Sequence, residues 1–592
     1  MRLAVHALGE DRVLACRDDG RRWVLGVGAG ELGQAAARTA LTTLAEEGPA
    51  LPAPPLHRDH AVASLTELEH WAAALDGPGG AGAGDQVVRW PFAGSTYRMC
   101  LRPGRAGELV RAASQALRAR IPEPEHARAL AGRAVLVLTA PEPAPGSPGP
   151  APAPGMLERW TGQEWQPHAL VPPAVVDPVT GLVHRVVRRR DPHAPGAFVH
   201  LHAELPHLSS VDPRWQPDPL APAGTLEAAD GERVAVLSGL AHLCGAYQGQ
   251  GERRQASTRE LINGGARVLT VGQWRPHDPA LHTQPGFPFR PHEQDLSTWW
   301  LRGREHPRDG APSSPCWVPL SLVHAGYLAS ALAGLPATNS HNLVGLQAGR
   351  NAREALDRAA AELLAQDAVA RWWYDGGPSL PEVPLPAPVA ARDSMIALRM
   401  LAVPSATGLP VRLAVADDGD VLALGYAGAA GAEEAASGAV CAALIQHASA
   451  RDLTRRDSLI RRGPELGNGG VAGLAPYDSG RRYASAFAGR HLMVDPMCHL
   501  QRGLDPVVAD RVRVRTRPAP GAGPEPEAAA PPAPMPALLS LSPRVVSVDV
   551  TTDRVRAAGF CAHRLLATGL RRLTVAAFPQ HVTDAREPYP GW

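Results

Sequence analysis

The chain has 592 residues, which is long enough for two to four domains with a sizeable buried core. Its 59 basic and 58 acidic residues give a formal net charge of +1, so the overall charge does not favour nucleic acid or an anionic membrane as a partner. The sequence contains no lysine, which excludes Schiff-base chemistry, a lysine general base and the lysine of a phosphate-binding P-loop.

Cysteine usage and hydropathy favour a reducing compartment. The seven cysteines are widely spread and form no CxxC pair, which argues against a zinc ribbon or a disulfide framework. Charged residues interrupt the apolar N-terminal stretch, and no apolar run of about 18 residues follows. We therefore expect a cytoplasmic protein without export signal or membrane span. The 59 glycines and 60 prolines, with dense alanine and with arginine in place of lysine, are typical of a high-GC genome such as that of an actinobacterium.

Residues 1–140 are predicted to form a small α/β domain, a candidate docking or peptide-binding element. Strand-like runs alternate there with alanine-rich helical stretches, as in WVLGVGA followed by ELGQAAARTALTTLAEE. The glycine turn at 26–33 follows a strand-like run but has no convincing acidic partner downstream, so we discount dinucleotide binding. Residues 141–160 are rich in proline and alanine and are predicted to be a linker.

Residues 165–592 are predicted to form a large α/β or α+β domain with a proline-rich insertion at 517–537. Two segments read as helices: RVAVLSGLAHLCGAY and REALDRAAAELLAQDAVARWW. Six read as strands: CWVPLSLV, VRLAVAD, DVLALGYA, RVVSVDVTT, RAAGFCAHRLL and LRRLTVAAF. Strand-like runs continue after the insertion, so the insertion interrupts the domain without ending it.

Two glutamates on the second predicted helix are candidate metal ligands. On an ideal helix Glu354 and Glu362 lie about 80° apart, with position 365 between them in azimuth. Three carboxylates so placed could hold Mg²⁺ against a triphosphate, but position 365 is alanine. Arg358 lies four residues from each glutamate and can pair with either. On spacing alone, a solvated charge stripe is the favoured interpretation.

Several blocks in order resemble the YcaO family. They are PGFPFRPHEQDLSTWWLRG, PCWVPLSLVHAGY, NSHNLVGLQAGRNAREALDRAAAELLAQDA, VPSATGLPVRLAVADDGDVLALGYAG and VVSVDVTTDRVRAAGF. The resemblance extends upstream and covers roughly 170–592. It implies an ATP-dependent protein of ribosomal-peptide modification. Most members cyclise Cys, Ser or Thr side chains onto the preceding carbonyl, giving thiazolines or oxazolines after phosphorylation of the amide oxygen.

The resemblance places a nucleotide and Mg²⁺ site on this sequence, with part of its charge replaced. Glu354 and Glu362 match family glutamates and would be the residual ATP and Mg²⁺ ligands. Alanine and glutamine stand at Ala365 and Gln366, where the family has a glutamate and an arginine. The other positions that match polar or charged residues of the family are Val234, Ser238, Ala241, His242, Gln347, Arg350, Ala439, Ala443 and Gln446. Among these, only Gln446 is the residue that the family has.

The C-terminal sequence EPYPGW partly keeps a proline-rich tail that azoline-forming members direct toward the active site. Pro588 and Pro590 are therefore candidate catalytic residues, with an ordinary proline-rich terminus as the alternative.

Three other clusters carry a chemical hypothesis. His491, Asp495, Cys498 and His499 have a spacing that a transition metal could use, although packing is favoured. The tryptophans of STWW and RWWYDG could stack on a peptide, although burial is favoured.

Three functional hypotheses follow. The first is an accessory YcaO-type protein of an azole-peptide or thiopeptide-like pathway that needs no cofactor. It would bind the precursor peptide, a catalytic YcaO or a leader-binding protein, and could dimerise. The second is an active cyclodehydratase that uses ATP and Mg²⁺ through Glu354 and Glu362. In the third, Arg358 replaces Mg²⁺ as an internal counter-ion and the helix is purely structural.

Overall fold

The computed structural model describes two compact units. The first comprises Met1–Leu182, His207–Pro213 and Asp553–Gly559, and the second comprises Val183–Pro206, Arg214–Thr552 and Phe560–Trp592. Within residues 1–181 the structure describes the strands given below, residues 72 and 110, and residues 175–176. Beyond these it describes 182–189, 191–205, 220–246, 251–324, 337–340, 342–390, 394–462, 471–519 and 532–591. Among the described residues, no helix is long and apolar enough to span a membrane.

The described residues of the first unit form two sheets. Strands β1 (Leu3–Ala7), β2 (Arg12–Arg17) and β3 (Arg22–Gly26) form an antiparallel meander. The second sheet has the order β4-β5-β6-β7-β8, and its strands are β4 (Asp59–Ala61), β5 (Gln86–Phe92), β6 (Ser95–Leu101), β7 (Leu157–Trp160) and β8 (Trp165–Pro167). Because β7 pairs with β6 and β8 with β7, the unit runs beyond the expected linker, to Leu182. The helices expected in this part and the turn at 27–33 lie outside the described residues.

The described residues of the second unit form three sheets whose strand pairings are antiparallel. Sheet I, of order β11-β10-β9, consists of β9 (Arg185–Arg189), β10 (Val199–Glu204) and β11 (Leu220–Thr225). Sheet III, of order β16-β17-β18-β19, consists of β16 (Glu382–Val383), β17 (Ala397–Val403), β18 (Val411–Asp417) and β19 (Leu422–Gly428). Sheet II, of order β12-β13-β20-β21-β15 with β14 also on β13, consists of β12 (Arg253–Ala256), β13 (Thr298–His306), β14 (Ser314–Pro319), β15 (Leu346–Gly349), β20 (Val545–Asp549) and β21 (Cys561–Ala567).

Twelve α-helices have bounds in the described residues. They are α1 (Gly231–Ala246), α2 (Thr258–Asn263), α3 (Val271–Trp274), α4 (Leu320–Val323), α5 (Ala352–Tyr374), α6 (Ala387–Ala390), α7 (Ala432–Leu453), α8 (Tyr483–Ala486), α9 (Pro496–Gly503), α10 (Pro506–Arg515), α11 (Pro534–Leu541) and α12 (Asp553–Ala557). The last of these belongs to the first unit. The mixture of helices and sheets agrees with the predicted fold class.

Three long helices occupy the centre of the second unit, and each packs on two sheets. Helix α1 contacts β10 and β11 of sheet I and β15 and β21 of sheet II. Helix α5 contacts β15 and β21 as well as β18 and β19 of sheet III. Helix α7 contacts β11, β18 and β19. The three helices thereby join the sheets, with α1 on sheets I and II, α5 on sheets II and III, and α7 on sheets I and III.

Local sequence explains why α5 begins and ends where it does. The Asn351 side chain accepts a hydrogen bond from the Glu354 N–H (3.0 Å), which caps the first turn, and the glutamate there favours the positive end of the helix dipole. The alanine-rich run that follows has a high helix propensity. The chain then reaches Gly376, whose φ of 72° suits the residue after a helix end. The predicted helix is therefore confirmed.

Strand expectations were met by β18, β19, β20 and β21, although β20 pairs with the distant β13, and they failed in part for CWVPLSLV and fully for LRRLTVAAF. VRLAVAD is β18, whereas CWVPLSLV is divided between β14 and α4. LRRLTVAAF (570–578) is an irregular segment, and three of its backbone amides bond to side chains instead of a neighbouring strand. The Arg571 N–H donates to Asp367, the Arg572 N–H to Gln580 and the Ala576 N–H to His499. These long-range acceptors satisfy buried backbone groups without a sheet, which local periodicity could not reveal.

Candidate functional site

The N-terminal parts of α1, α5 and α7 meet around a cluster of charged side chains. Arg233 on α1 approaches Glu354 on α5, with 3.9 Å between Nη1 and Oε1. Glu434, in the first turn of α7, acts through its charge on Arg358 of α5. We call Arg233, Glu354, Arg358, Glu362 and Glu434 the charge cluster. It brings together the two predicted site residues and the arginine between them.

Glu354 is held by the loop that precedes its helix. Its Oε2 accepts a hydrogen bond from the backbone N–H of Arg350 (2.9 Å), while its Oε1 faces Arg233. The side chain remains about one-third exposed (30%), so the weak ion pair with Arg233 is partly screened by water. Arg350 therefore contributes to the site through its backbone.

Glu362 is held by the strand edge beside α5. Its Oε2 accepts hydrogen bonds from the backbone N–H of Gly345 (2.8 Å) and from the side-chain amide of Gln347 (3.0 Å). Burial raises the pKa of Glu362 above its usual value, while these two donors and the charges of Arg564 and Arg358 oppose the shift. The carboxylate is consequently fixed in direction and poorly solvated.

Arg358 lies one helical turn from each glutamate, as the spacing predicted. Burial lowers the pKa of its guanidinium, and the nearby charge of Arg233 adds to this effect. The charges of Glu354, Glu362 and Glu434 act in the opposite direction. Burial and the three carboxylates therefore act on the charge of Arg358 in opposite directions.

Position 365 on α5, where a third carboxylate would have to lie, is packed closely against β19. Ala365 is fully buried (0% exposed). A Cβ added to Gly428 would lie 3.0 Å from the Ala365 Cβ and 3.0 Å from the Ala361 carbonyl oxygen. The next residue, Gln366, is also buried and donates its side-chain amide to the Tyr426 hydroxyl (3.4 Å). Neither position presents a charge.

The matched positions on α1 lie on one face of that helix. Val234, Ser238 and His242 are half-buried and spaced by four residues, while Ala241 beside them is buried. The Ser238 hydroxyl donates to the Pro222 carbonyl oxygen of β11 (2.9 Å), and the His242 Nδ1 bonds to the Ser238 carbonyl oxygen (2.9 Å). These side chains are therefore engaged with nearby backbone groups.

The matched positions on α7 are small and close to sheet III. Ala439 and Ala443 are fully buried. The helix approaches β19 so closely that a Cβ on Gly425 would lie 2.0 Å from the Ala443 nitrogen. Gln446, one turn further, is half-buried. Helix α7 adds the carboxylate of Glu434 near its start but no charge at the two matched alanines.

The C-terminal tail, 587–591, packs into the core beside α5. The Trp373 indole donates to the Glu587 carbonyl oxygen (2.9 Å), and the Tyr589 ring lies 5.4 Å from the Trp373 ring and 6.3 Å from that of Tyr426. Pro588 and Pro590 are both buried. Tyr426 connects the tail with the charge cluster, because it also bonds Gln366, and the charge of Glu362 helps to raise its pKa. A catalytic role for the two prolines stays a prediction.

The proposed metal ligands at 491–499 have separate structural roles. His491 is exposed, while the Asp495 side chain caps α9 by accepting from the Met497 N–H (2.8 Å). Cys498 is buried and donates its thiol to the Ala472 carbonyl oxygen (3.4 Å). His499 bonds the tail through the Tyr589 carbonyl oxygen (2.8 Å). Nowhere in the described ranges do three or more His, Cys, Asp or Glu residues form a group that could hold a metal ion.

Burial was favoured for the aromatic clusters, and this is confirmed for three tryptophans: Trp300, Trp372 and Trp373. Trp300 donates to the Ala256 carbonyl oxygen (2.9 Å), and Trp372 packs under the Arg515 guanidinium (4.4 Å to the ring centre).

Sequence reasoning missed Arg233 and Glu434 in the charge cluster and Gly345 as the partner of Glu362. The available signal in the sequence was Gly345 of LVGLQAG. Its φ in the structure is 89°, which glycine adopts most readily because it has no side chain.

Solved structures with a similar arrangement were found. One described as a heterocyclase in complex with substrate and cofactor has a TM-score of 0.50 at 14% identity, and the match covers 96% of this chain and 94% of the other. At this identity the similarity shows the fold alone. The heterocyclase TruD matches with a TM-score of 0.43 at 12% identity, covering 97% of this chain and 94% of its own. YcaO from Methanopyrus kandleri, bound with AMPPCP and Mg²⁺, matches with a TM-score of 0.40 at 14% identity, covering 66% and 87%.

The family comparison agrees with the fold. The model described as YcaO cyclodehydratase, ATP- and Mg²⁺-binding, matches residues 225–499, which include α1, α5 and α7. None of the curated proteins compared gives a significant match. Residues 225–499 therefore match the YcaO family, whose heterocyclases are involved in azole and ribosomal-peptide biosynthesis.

Proposed function

We propose that this protein is an accessory YcaO-domain protein that does not use ATP. It binds the precursor peptide of an azole-forming or thiopeptide-like pathway, or pairs with a catalytic YcaO subunit or a leader-binding protein. The observation that carries this proposal is the closure of the matched nucleotide positions. Ala365 packs against Gly428 in full burial, and Gln366 is engaged with Tyr426.

The described residues are a poor fit to Mg²⁺ and a triphosphate. Mg²⁺ prefers nearly octahedral oxygen ligands, and bound triphosphates require cations around their oxygens. Here each glutamate already accepts a hydrogen bond from a backbone N–H group, and the helix residue midway between them in sequence is an arginine, Arg358. Each lost charge-assisted contact removes roughly 1.5–3 kcal/mol, so losing three or four weakens binding by several orders of magnitude.

Nucleotide titration of the full-length protein tests the first part of the proposal. Calorimetry with Mg²⁺-ATP should give no saturable binding at about 1 mM nucleotide, a concentration at which family enzymes would be largely occupied if their affinity lies in the usual substrate range. The same preparation should bind the precursor peptide or the partner protein encoded nearby. Tight Mg²⁺-ATP binding would overturn the proposal.

The alternative is an active cyclodehydratase that uses Glu354 and Glu362 as residual Mg²⁺ ligands. Reconstitution with precursor peptide, ATP and Mg²⁺ would then give a product lighter by one water for each ring. Glu362→Gln separates the two functions, because it keeps the size of the side chain and removes the charge. It should leave peptide or partner binding unchanged in an accessory protein, and it should abolish ring formation in an enzyme.

A further inference from the structure

Arg502, in the last turn of α9, is a buried guanidinium without a hydrogen-bond acceptor. Its side chain is 3% exposed, and its Nε is buried without a partner. Among the residues that the structure describes, no group accepts a hydrogen bond from this side chain, and the carboxylate that pairs with it, that of Glu587, stays 3.8 Å from Nη2. Burying a charge without acceptors is costly, so this guanidinium has free donors for an oxygen ligand.

Other buried arginines have the acceptors that Arg502 lacks. Arg564 donates to the Val344 carbonyl oxygen (2.6 Å), and Arg572 donates to that of Ala567 (2.7 Å). Backbone carbonyl oxygens therefore engage those two guanidinium groups and tie separate segments of the core together. Within the described ranges Arg502 makes no such contact, so this structural role does not account for its burial.

The charges around Arg502 leave an excess of positive charge. Burial lowers the pKa of its guanidinium to about 10, and Arg490 and Arg511 add to this effect, while Glu587 and Asp505 oppose it. The Asp505 side chain is engaged elsewhere, because it caps the start of α10. The Glu587 side chain is half-exposed (49%), so water reaches the carboxylate that lies beside the guanidinium.

We propose that Arg502 is the centre of a binding site for a small oxyanion, a carboxylate or a phosphate group, that approaches beside Glu587. A guanidinium presents paired N–H donors that match the paired oxygens of either group. The Glu587 carboxylate marks the direction of approach, since it lies near Nη2 but beyond hydrogen-bond distance. An oxyanion bound closer to the guanidinium supplies the missing acceptors and competes with Glu587, the first residue of the C-terminal tail.

Inorganic phosphate and acetate are the probes for this site, with chloride at equal ionic strength as the reference. The melting temperature of the full-length protein should rise by about 2 °C in about 20 mM phosphate, because a ligand of the folded state stabilises that state. Arg502→Met should lose this rise. A rise in phosphate alone would assign the site to phosphate groups, whereas a rise in acetate as well would extend it to carboxylates.

Two further variants separate the site from general effects of charge. Arg482→Met also removes one positive charge, but from a side chain that is 80% exposed, so it should keep the wild-type response to phosphate. Glu587→Gln removes the competing carboxylate and keeps the backbone carbonyl to which Trp373 donates. Phosphate should bind this variant about 3–10 times more tightly than the wild type. Glu587→Gln decides the question if Arg502→Met does not fold.

Three results would overturn the oxyanion site. They are a wild-type melting temperature that responds to phosphate and acetate no more than to chloride, a phosphate response that Arg502→Met keeps, and an unchanged phosphate affinity in Glu587→Gln. The site does not depend on the accessory role. Mg²⁺-ATP binding that persists in Arg502→Met would overturn that role alone, whereas a protein that binds neither ATP nor the two probes would overturn the oxyanion site alone.

Discussion

The Oε2 of Glu362 lies 2.8 Å from the backbone nitrogen of Gly345, so a carboxylate on α5 is held by an amide 17 residues earlier in the sequence. This relationship depends on a backbone conformation that only glycine adopts readily. Gly345 has a φ of 89°, and a Cβ at this position would lie 2.5 Å from the Leu565 carbonyl oxygen. A site residue is therefore oriented by a residue without a side chain.

Gly345→Ala should destabilise the protein by about 3 kcal/mol or more, because it combines backbone strain with a clash against β21. Gly408→Ala is the matched control. Its φ is 74°, but nothing lies within 4 Å of the added Cβ, so only the conformational cost of about 1 kcal/mol should appear. Urea unfolding of both variants measures the difference. Equal losses would show that the close approach to Leu565 has no consequence.

Ala365→Glu restores the carboxylate expected from the family but should not restore a metal site. Position 365 is fully buried against Gly428, so the new carboxylate would lose its hydration without gaining a partner. We expect a loss of roughly 2–4 kcal/mol in the free energy of unfolding and no Mg²⁺-ATP binding by calorimetry.

Ala352→Glu is the control for that substitution. It adds the same side chain to the exposed first residue of α5, where a negative charge is favourable, so the change should stay within about 0.5 kcal/mol. The packing argument at position 365 would be wrong if Ala365→Glu folded with wild-type stability and bound nucleotide.

The sequence predicted what local patterns and block order encode. Helix α5 followed from its alanine-rich run, and VRLAVAD coincides with β18. The register of α5 also placed Glu354, Arg358 and Glu362 correctly on one face. Contacts between distant segments could not be predicted in this way. The contact of Ala365 with Gly428 and the packing of the tail against Trp373 leave no periodic signal in the sequence, because each depends on how separate elements pack.

His499 should make the attachment of the C-terminal tail sensitive to acid. The ring is neutral with the proton on Nδ1, which donates to the Tyr589 carbonyl oxygen (2.8 Å), while Nε2 accepts from the Ala576 N–H (3.0 Å). A second proton on Nε2 would face that N–H directly. Burial lowers the pKa of His499 from 6.5 to about 4, the hydrogen bond to Tyr589 opposes this shift, and Arg502 and Arg490 add to it.

The sign of the pH effect follows from that shift. Above pH 6.5 the ring is neutral in both the folded and the unfolded chain, so its full contribution is present. Between pH 6.5 and about 4 only the unfolded chain takes up the proton, and stability falls by roughly 3 kcal/mol in total. Urea unfolding between pH 7.5 and 5 should show about 2 kcal/mol of this loss, because the rest falls between pH 5 and about 4. His499→Gln should flatten part of the pH dependence, whereas the exposed His491→Gln should leave it unchanged; identical profiles for the two variants would contradict the assignment.

Tyr589→Phe should leave the protein as stable as the wild type or more so. The Tyr589 side chain is fully buried, and no group among the described residues forms a hydrogen bond with its hydroxyl. Burial raises the pKa of this phenol well above its ordinary value, with Tyr426 and Tyr374 adding to the effect. A buried hydroxyl without a partner costs about 1–3 kcal/mol, so its removal should stabilise the fold by about 1 kcal/mol while the ring keeps its contact with Trp373.

Tyr426→Phe provides the contrast, because the Tyr426 hydroxyl accepts a hydrogen bond from the side-chain amide of the buried Gln366. Its loss leaves a buried donor unpaired and should destabilise by about 1–2 kcal/mol. Thermal and urea unfolding of the two variants test the difference between an unpartnered and a partnered phenol on neighbouring rings. A loss of more than about 0.5 kcal/mol for Tyr589→Phe would mean that the hydroxyl is satisfied by a buried water, which forms two to four hydrogen bonds in such sites. The tail would then be fixed beside Tyr426 through a water-mediated contact in addition to the packing of its ring.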